Sequence, residues 1–66
     1  MLDWSYILRT INVNTGNDFP TIEDALECLY NEKGYGLRKI VELTNNLCSY
    51  GSLRDKLYQL EIDLRN

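Results

Sequence analysis

The sequence predicts an all-α protein, a small three- to four-helix bundle in one domain spanning residues 1–66. Three observations lead there. Apolar residues recur at spacings of three and four in four separate stretches, which is the helical period. Residues that start helices stand before most of these stretches, and glycine or asparagine follows them. Finally, 44% hydrophobic and 26% charged residues in a chain of 66 is a globular composition with room for one core.

In the first stretch Asp3 is placed to cap a helix that carries Trp4, Ile7, Leu8 and Ile11 on one side. The β-branched and turn residues of INVNTGND leave a short strand over residues 6–13 as an alternative, and Gly16, Asn17 and Asp18 mark a loop. The second helix follows Pro20. Thr21 is its N-cap with Asp24 three residues on, Ile22, Ala25, Leu26 and Leu29 share a face, and Gly34 closes it after Lys33. Glu23, Asp24 and Glu27 read as a solvated face rather than as a metal or acid–base site. The third helix runs from about Leu37 to Asn46, with Leu37, Ile40, Val41 and Thr44 on one side and Arg38, Lys39 and Glu42 largely on the other. Asn45 and Asn46 suit its end, because asparagine accepts the left-handed conformation. The fourth carries Leu53, Leu57, Leu60 and Leu64, a narrow apolar stripe.

Composition removes several classes of function. There is no histidine and there are only two cysteines, Cys28 and Cys48, so the usual zinc spacings cannot be assembled in one chain. Both cysteines read as free thiols acting as small hydrophobes in a reducing compartment, with a disulfide as the alternative. No nucleophile and base pair, phosphate loop or metal cluster is present, so neither an enzyme nor a bound cofactor is expected. No apolar run is long enough for a membrane span, and MLDWSYILRT lacks the character of a secretory signal. A cytoplasmic protein is expected. A chain this small usually leans on a second copy, so a homodimer is expected too, with Trp4, Tyr6, Tyr30 and Tyr35 as core or interface residues.

Charge is uneven. Residues 1–33 hold two basic against six acidic residues, a net of −4, and residues 34–66 hold five against four, a net of +1. The basic residues therefore gather in the later half, where phosphate contacts would have to lie.

Two amphipathic helices joined by a tight turn make a helix-turn-helix, here at approximately residues 37–64. Its second helix must bury one side while its leading residues stay free for the major groove. At ~100 degrees per residue, Leu57, Leu60 and Leu64 fall within about 40 degrees of Leu53, while Arg54, Asp55, Tyr58 and Gln59 lie about 100 to 240 degrees away. CSYGSLRDKLYQL, from Cys48 to Leu60, resembles the recognition segment of the helix-turn-helix DNA-binding domains of phage and mobile-element proteins. That segment reads as a hydrophobe, serine, any residue, a small residue, serine or threonine, then an aliphatic and a basic residue. EIDLR is similar to the tail that often follows.

The resemblance implies a binder of double-stranded DNA, a regulator of transcription or an accessory factor. It makes Cys48 and Leu53 core anchors and Ser49 the cap of the recognition helix. Tyr50, Gly51, Ser52, Arg54, Asp55 and Tyr58 become the surface toward DNA, with Arg54 on a guanine edge or a phosphate and Tyr58 on phosphate or sugar. Lys39, Lys56 and Arg65 become flanking phosphate contacts. The chain departs from the pattern in three places. TNNLC has no glycine, Leu43 stands where a small residue is usual, with Val41 as a candidate for that place, and Asp55 repels phosphate unless it accepts from a cytosine amino group.

A plainer reading of the same residues remains open. Ser52 with Asp55 forms its own capping box, so the last helix could start there and its leucines could be a dimer seam or the core of a helical hairpin. The chain would then be a helical protein-interaction module, an adaptor or inhibitor that meets a basic partner with its acidic N-terminal half.

Overall fold

The computed structural model describes residues 2–62, and among these it holds four helices and no strand. Helix α1 is Trp4–Thr15, α2 is Ile22–Glu27 and runs on as a wider π-helical turn, Cys28–Glu32, α3 is Leu37–Leu43 and α4 is Tyr50–Gln59. The all-α bundle expected from the periodicity is what forms. The strand alternative for residues 6–13 gives way to helix, because Ile7 and Ile11 share one buried side and Asp3 accepts from the backbone N–H groups of Ser5 and Tyr6.

Helix ends repeat one device. Gly16, Gly34, Asn45 and Glu61 each take the left-handed conformation, with φ of 70, 74, 56 and 59 degrees respectively. The next residue but one past each last turn then folds back: Asn17 N donates to Asn12 O, Tyr35 N to Leu29 O, Asn46 N to Val41 O and Ile62 N to Leu57 O. Three of these bonds are six-to-one, and that of Tyr35, after the wider π-helical turn, spans one residue more; all satisfy carbonyls that a helix end would leave bare. They also shorten two elements relative to the sequence pattern. Helix α3 stops at Leu43 rather than at Asn46, and α4 stops at Gln59, so the leucine stripe does not continue as one rod. Ile62 turns back into the core behind Glu61 instead. Leu64 lies outside the described residues.

The core gathers Ile7 and Ile11 of α1, Ala25, Leu26, Leu29 and Tyr30 of α2 and its extension, Ile40 of α3, Cys48 of the turn, and Leu53 and Leu57 of α4. Helix α1 packs on α2 and α3, and α3 packs on α4. Thr44 is the one buried polar residue among those described, and its hydroxyl donates to Val41 O at 2.6 Å. No buried side-chain nitrogen or oxygen among the described residues lacks a partner. No helix is long and apolar enough to cross a membrane among the described residues.

Both cysteines are free thiols, so the disulfide alternative does not form. Cys48 is buried with its Sγ 3.8 Å from Thr44 Oγ1, whereas Cys28 is half-buried. Burial pushes the Cys48 thiol up, and the contact with the Thr44 hydroxyl only partly offsets this. The raised value means that the fold favours the protonated thiol. That contribution to stability is present at neutral pH and is lost as pH rises through the folded value. Iodoacetamide at neutral pH is expected to modify Cys28 first and to reach Cys48 only as the chain unfolds. Mass mapping over time checks this, and equal labelling rates would contradict the burial of Cys48.

Candidate nucleic-acid interface

The turn between α3 and α4 is built from residues 44–49. Asn45 and Asn46 both take positive φ, which is the work that glycine does in the pattern this segment resembles. The turn is also tied to α1: Asn14 Nδ2 donates to Leu43 O at 2.7 Å and to Asn45 Oδ1 at 3.0 Å. Sequence reading gave Asn14 no role. An asparagine on the last turn of a helix carries no pattern of its own, and its partners lie 29 and 31 positions away.

Ser49 is the cap of α4. Its Oγ accepts from Ser52 N at 3.1 Å and donates to Ser52 Oγ at 3.1 Å. The helix therefore opens at Tyr50, and the alternative start at Ser52 is not taken. Ser52 faces the capping hydroxyl rather than heading a helix of its own.

Leu53 and Leu57 are fully buried, Cys48 is buried beside them, and Leu60 is half-buried. These residues fix the roll of α4. At ~100 degrees per residue, Arg54, Tyr58, Gly51 and Asp55 fall in that order across a face of about 100 degrees, centred roughly opposite the leucines. Arg54 and Asp55 are exposed, Gly51 is half-buried, and Tyr50 and Tyr58 keep 48% and 61% of their surface. One face thus brings together Gly51, Arg54, Asp55 and Tyr58, with Tyr50 at its leading edge.

The flanking lysines fall elsewhere. Lys56 is half-buried, with its Nζ 5.3 Å from the centroid of the Trp4 ring, a cation–π arrangement that joins α4 to the start of α1. Lys56 is about 160 degrees round the helix from Arg54. Its methylenes and ammonium cover an aromatic ring, which sequence reading had set aside as core or interface. Nothing in the spacing of Trp4 and Lys56 could have paired them, since they meet only once α1 and α4 are placed. Lys39 is exposed on α3 and borders a cleft with Asn14, Asn17, Lys33 and Tyr35. Arg65 lies outside the described residues.

Gly51 is not required by the fold. A Cβ placed there meets nothing within 4 Å, and its φ is not positive. A glycine inside a helix costs roughly 0.5–1 kcal/mol relative to alanine, and at this position that cost brings no benefit within the chain. The space over its backbone is open to an approaching molecule.

Among the described residues there is no group of three or more histidine, cysteine or acidic side chains placed to hold a metal ion. Comparison of the chain with protein-family models, with curated proteins and with solved structures finds no match.

Proposed function

We propose that the protein binds double-stranded DNA through the leading face of α4, as a regulator or accessory factor of the kind its recognition segment resembles. The observation that carries this reading is the combination at residues 50–58. A serine-capped helix is pinned by Leu53 and Leu57, while Gly51, Arg54 and Tyr58 line an uncovered face. A helix held in this way can lay its first two turns in the major groove, which is wide enough for a helix. Arg54 supplies paired donors for a guanine edge or a phosphate. Tyr50 and Tyr58 supply hydroxyls for phosphate and rings for sugar. Asp55 on the same face disfavours phosphate close by, so it works as a selector that tolerates a cytosine amino group.

The surplus glycine gives a direct test. Gly51→Ala is expected to raise stability by roughly 0.5–1 kcal/mol and to weaken DNA binding, because the added methyl stands where the duplex would approach. Thermal melting and a polarisation titration on the same variant read the two effects. A variant that is more stable and binds duplex as well as the parent chain would remove the assigned role of Gly51.

A second reading is favoured by one observation. Glu23, Asp24 and Glu27 of α2 are all exposed, and they sit in the half of the chain that carries −4. That surface repels nucleic acid and suits a basic protein partner. Co-purification from a nuclease-treated lysate, with Glu23→Lys and Glu27→Lys as the comparison, separates the two. A partner retained without nucleic acid and lost with the reversed charges would favour the protein-binding role.

A further inference from the structure

The last turn of α1, the π-helical turn after α2 and helix α3 enclose a cleft of about 350 Å³. Its walls have local causes. Gly34 takes the left-handed conformation just past the π-helical turn, which brings Tyr35 back so that its N–H donates to Leu29 O at 3.0 Å. Leu29 is buried at the base of the cleft, and Tyr35 and Leu43 are half-buried beside it. On the α1 side, Asn14 Nδ2 spends its hydrogens on Leu43 O and Asn45 Oδ1, so that wall is tied to the end of α3. Thr15 spends its hydroxyl proton on Ile11 O at 2.8 Å. The rim then offers the ammoniums of Lys33 and Lys39 and the side-chain amide of Asn17, all on exposed residues.

Charge sets this cleft apart from the rest of the surface. No carboxylate lines it, although the chain has 10 acidic residues against 7 basic ones. Two ammoniums bordering one recess repel each other, and an anion seated between them replaces that repulsion with attraction. The π-helical turn is a second sign. Leu29 lies within it, and Lys33 N donates to Cys28 O at its end. Turns of this kind are rare and gather at functional sites.

We propose that the cleft binds a small organic phosphate. Lys33, Lys39 and the Asn17 amide hold the phosphate, and the body of the molecule lies on Leu29, Leu43 and the Tyr35 ring. Volume argues for a body, because ligand pockets begin at about 300 Å³ while a water molecule takes about 30 Å³. An inorganic ion would leave most of the recess wet. Charge argues for a monoester, which carries nearly two negative charges at neutral pH and so matches two ammoniums. A phosphate within a duplex backbone carries one. The site does not rest on the DNA reading, which α4 carries.

Two-dimensional NMR of the backbone amides at low salt tests it, with adenosine monophosphate, inorganic phosphate and adenosine as probes. Adenosine monophosphate is expected to shift the amides of residues 14–17, 33–35 and 39–43, with dissociation below about 1 mM. Inorganic phosphate is expected to move the same amides about tenfold more weakly, and adenosine not to saturate in that range. Lys33→Gln and Lys39→Gln are each expected to weaken the monophosphate by about tenfold, the worth of one charged hydrogen bond. Arg38→Gln removes a charge from an exposed position on α3 that does not line the cleft, and is expected to leave binding nearly unchanged. Circular dichroism checks that each variant keeps its helices. No saturable binding of the monophosphate, adenosine bound as tightly as the monophosphate, or equal losses for Arg38→Gln and the cleft variants would each overturn the site. If Lys33→Gln weakens duplex DNA while the monophosphate moves no amide, the lysines serve a nucleic-acid backbone and the small ligand is overturned.

Discussion

Leu57→Ala is expected to remove most of the stability the chain possesses. Leu57 is fully buried and sits between the core and the α4 backbone. Its carbonyl also accepts from Ile62 N at 2.9 Å, in the turn that closes α4. Truncating a buried leucine costs about 2–5 kcal/mol, from the lost transfer of its methyls and from the cavity left behind. A domain of this size rarely has more than about 3–5 kcal/mol in total. The loss is therefore comparable with the whole. Urea unfolding followed by circular dichroism should show either a midpoint near zero denaturant or no cooperative transition. A shift under about 1 kcal/mol would mean that α4 is not held by this side chain, and the roll of its outer face would lose its basis.

Arg54→Ala is expected to act in the opposite way, with a large effect on binding and little on folding. Arg54 is exposed on α4, and substitutions at such positions usually change stability by no more than about 0.5 kcal/mol. On duplex DNA its loss should cost about 1–3 kcal/mol if it reads a base, a fall in affinity of about 5- to 150-fold. Two kinds of contact can be told apart. A base contact gives a loss that depends on the sequence of the duplex, whereas a phosphate contact gives a uniform loss and a shallower dependence on salt. Polarisation titrations at two salt concentrations, against a panel of duplexes, measure both. Equal affinity for parent and variant, or no binding by the parent at low salt, would end the proposal that this face meets DNA.

Much of the fold was legible because it rests on local chemistry. Asp3, Thr21 and Ser49 each cap the helix expected of them. Gly34 and Asn45 end theirs for the conformational reason that makes glycine and asparagine common there. What escaped came from chain reversal and tertiary pairing. Glu61 takes the left-handed conformation although glutamate has no preference for it, because Ile62 gains burial by turning back. That gain comes from the assembled core, so no local pattern announces it, and the leucine stripe suggested a longer rod instead. The candidate face shows the same division. Gly51, Arg54, Asp55 and Tyr58 could be placed together from helical period alone, once Leu53 and Leu57 were taken as buried. The placing of Lys56 over Trp4 and the tie from Asn14 to the turn depend on how three helices meet, and periodicity holds no information about that.

The contact between Lys56 and Trp4 also gives the molecule a built-in optical gauge. The chain has a single tryptophan, and its indole lies where Lys56 of α4 rests on the start of α1. Emission from that one ring therefore reports whether α4 is seated, without a dye or a tag to disturb so small a body.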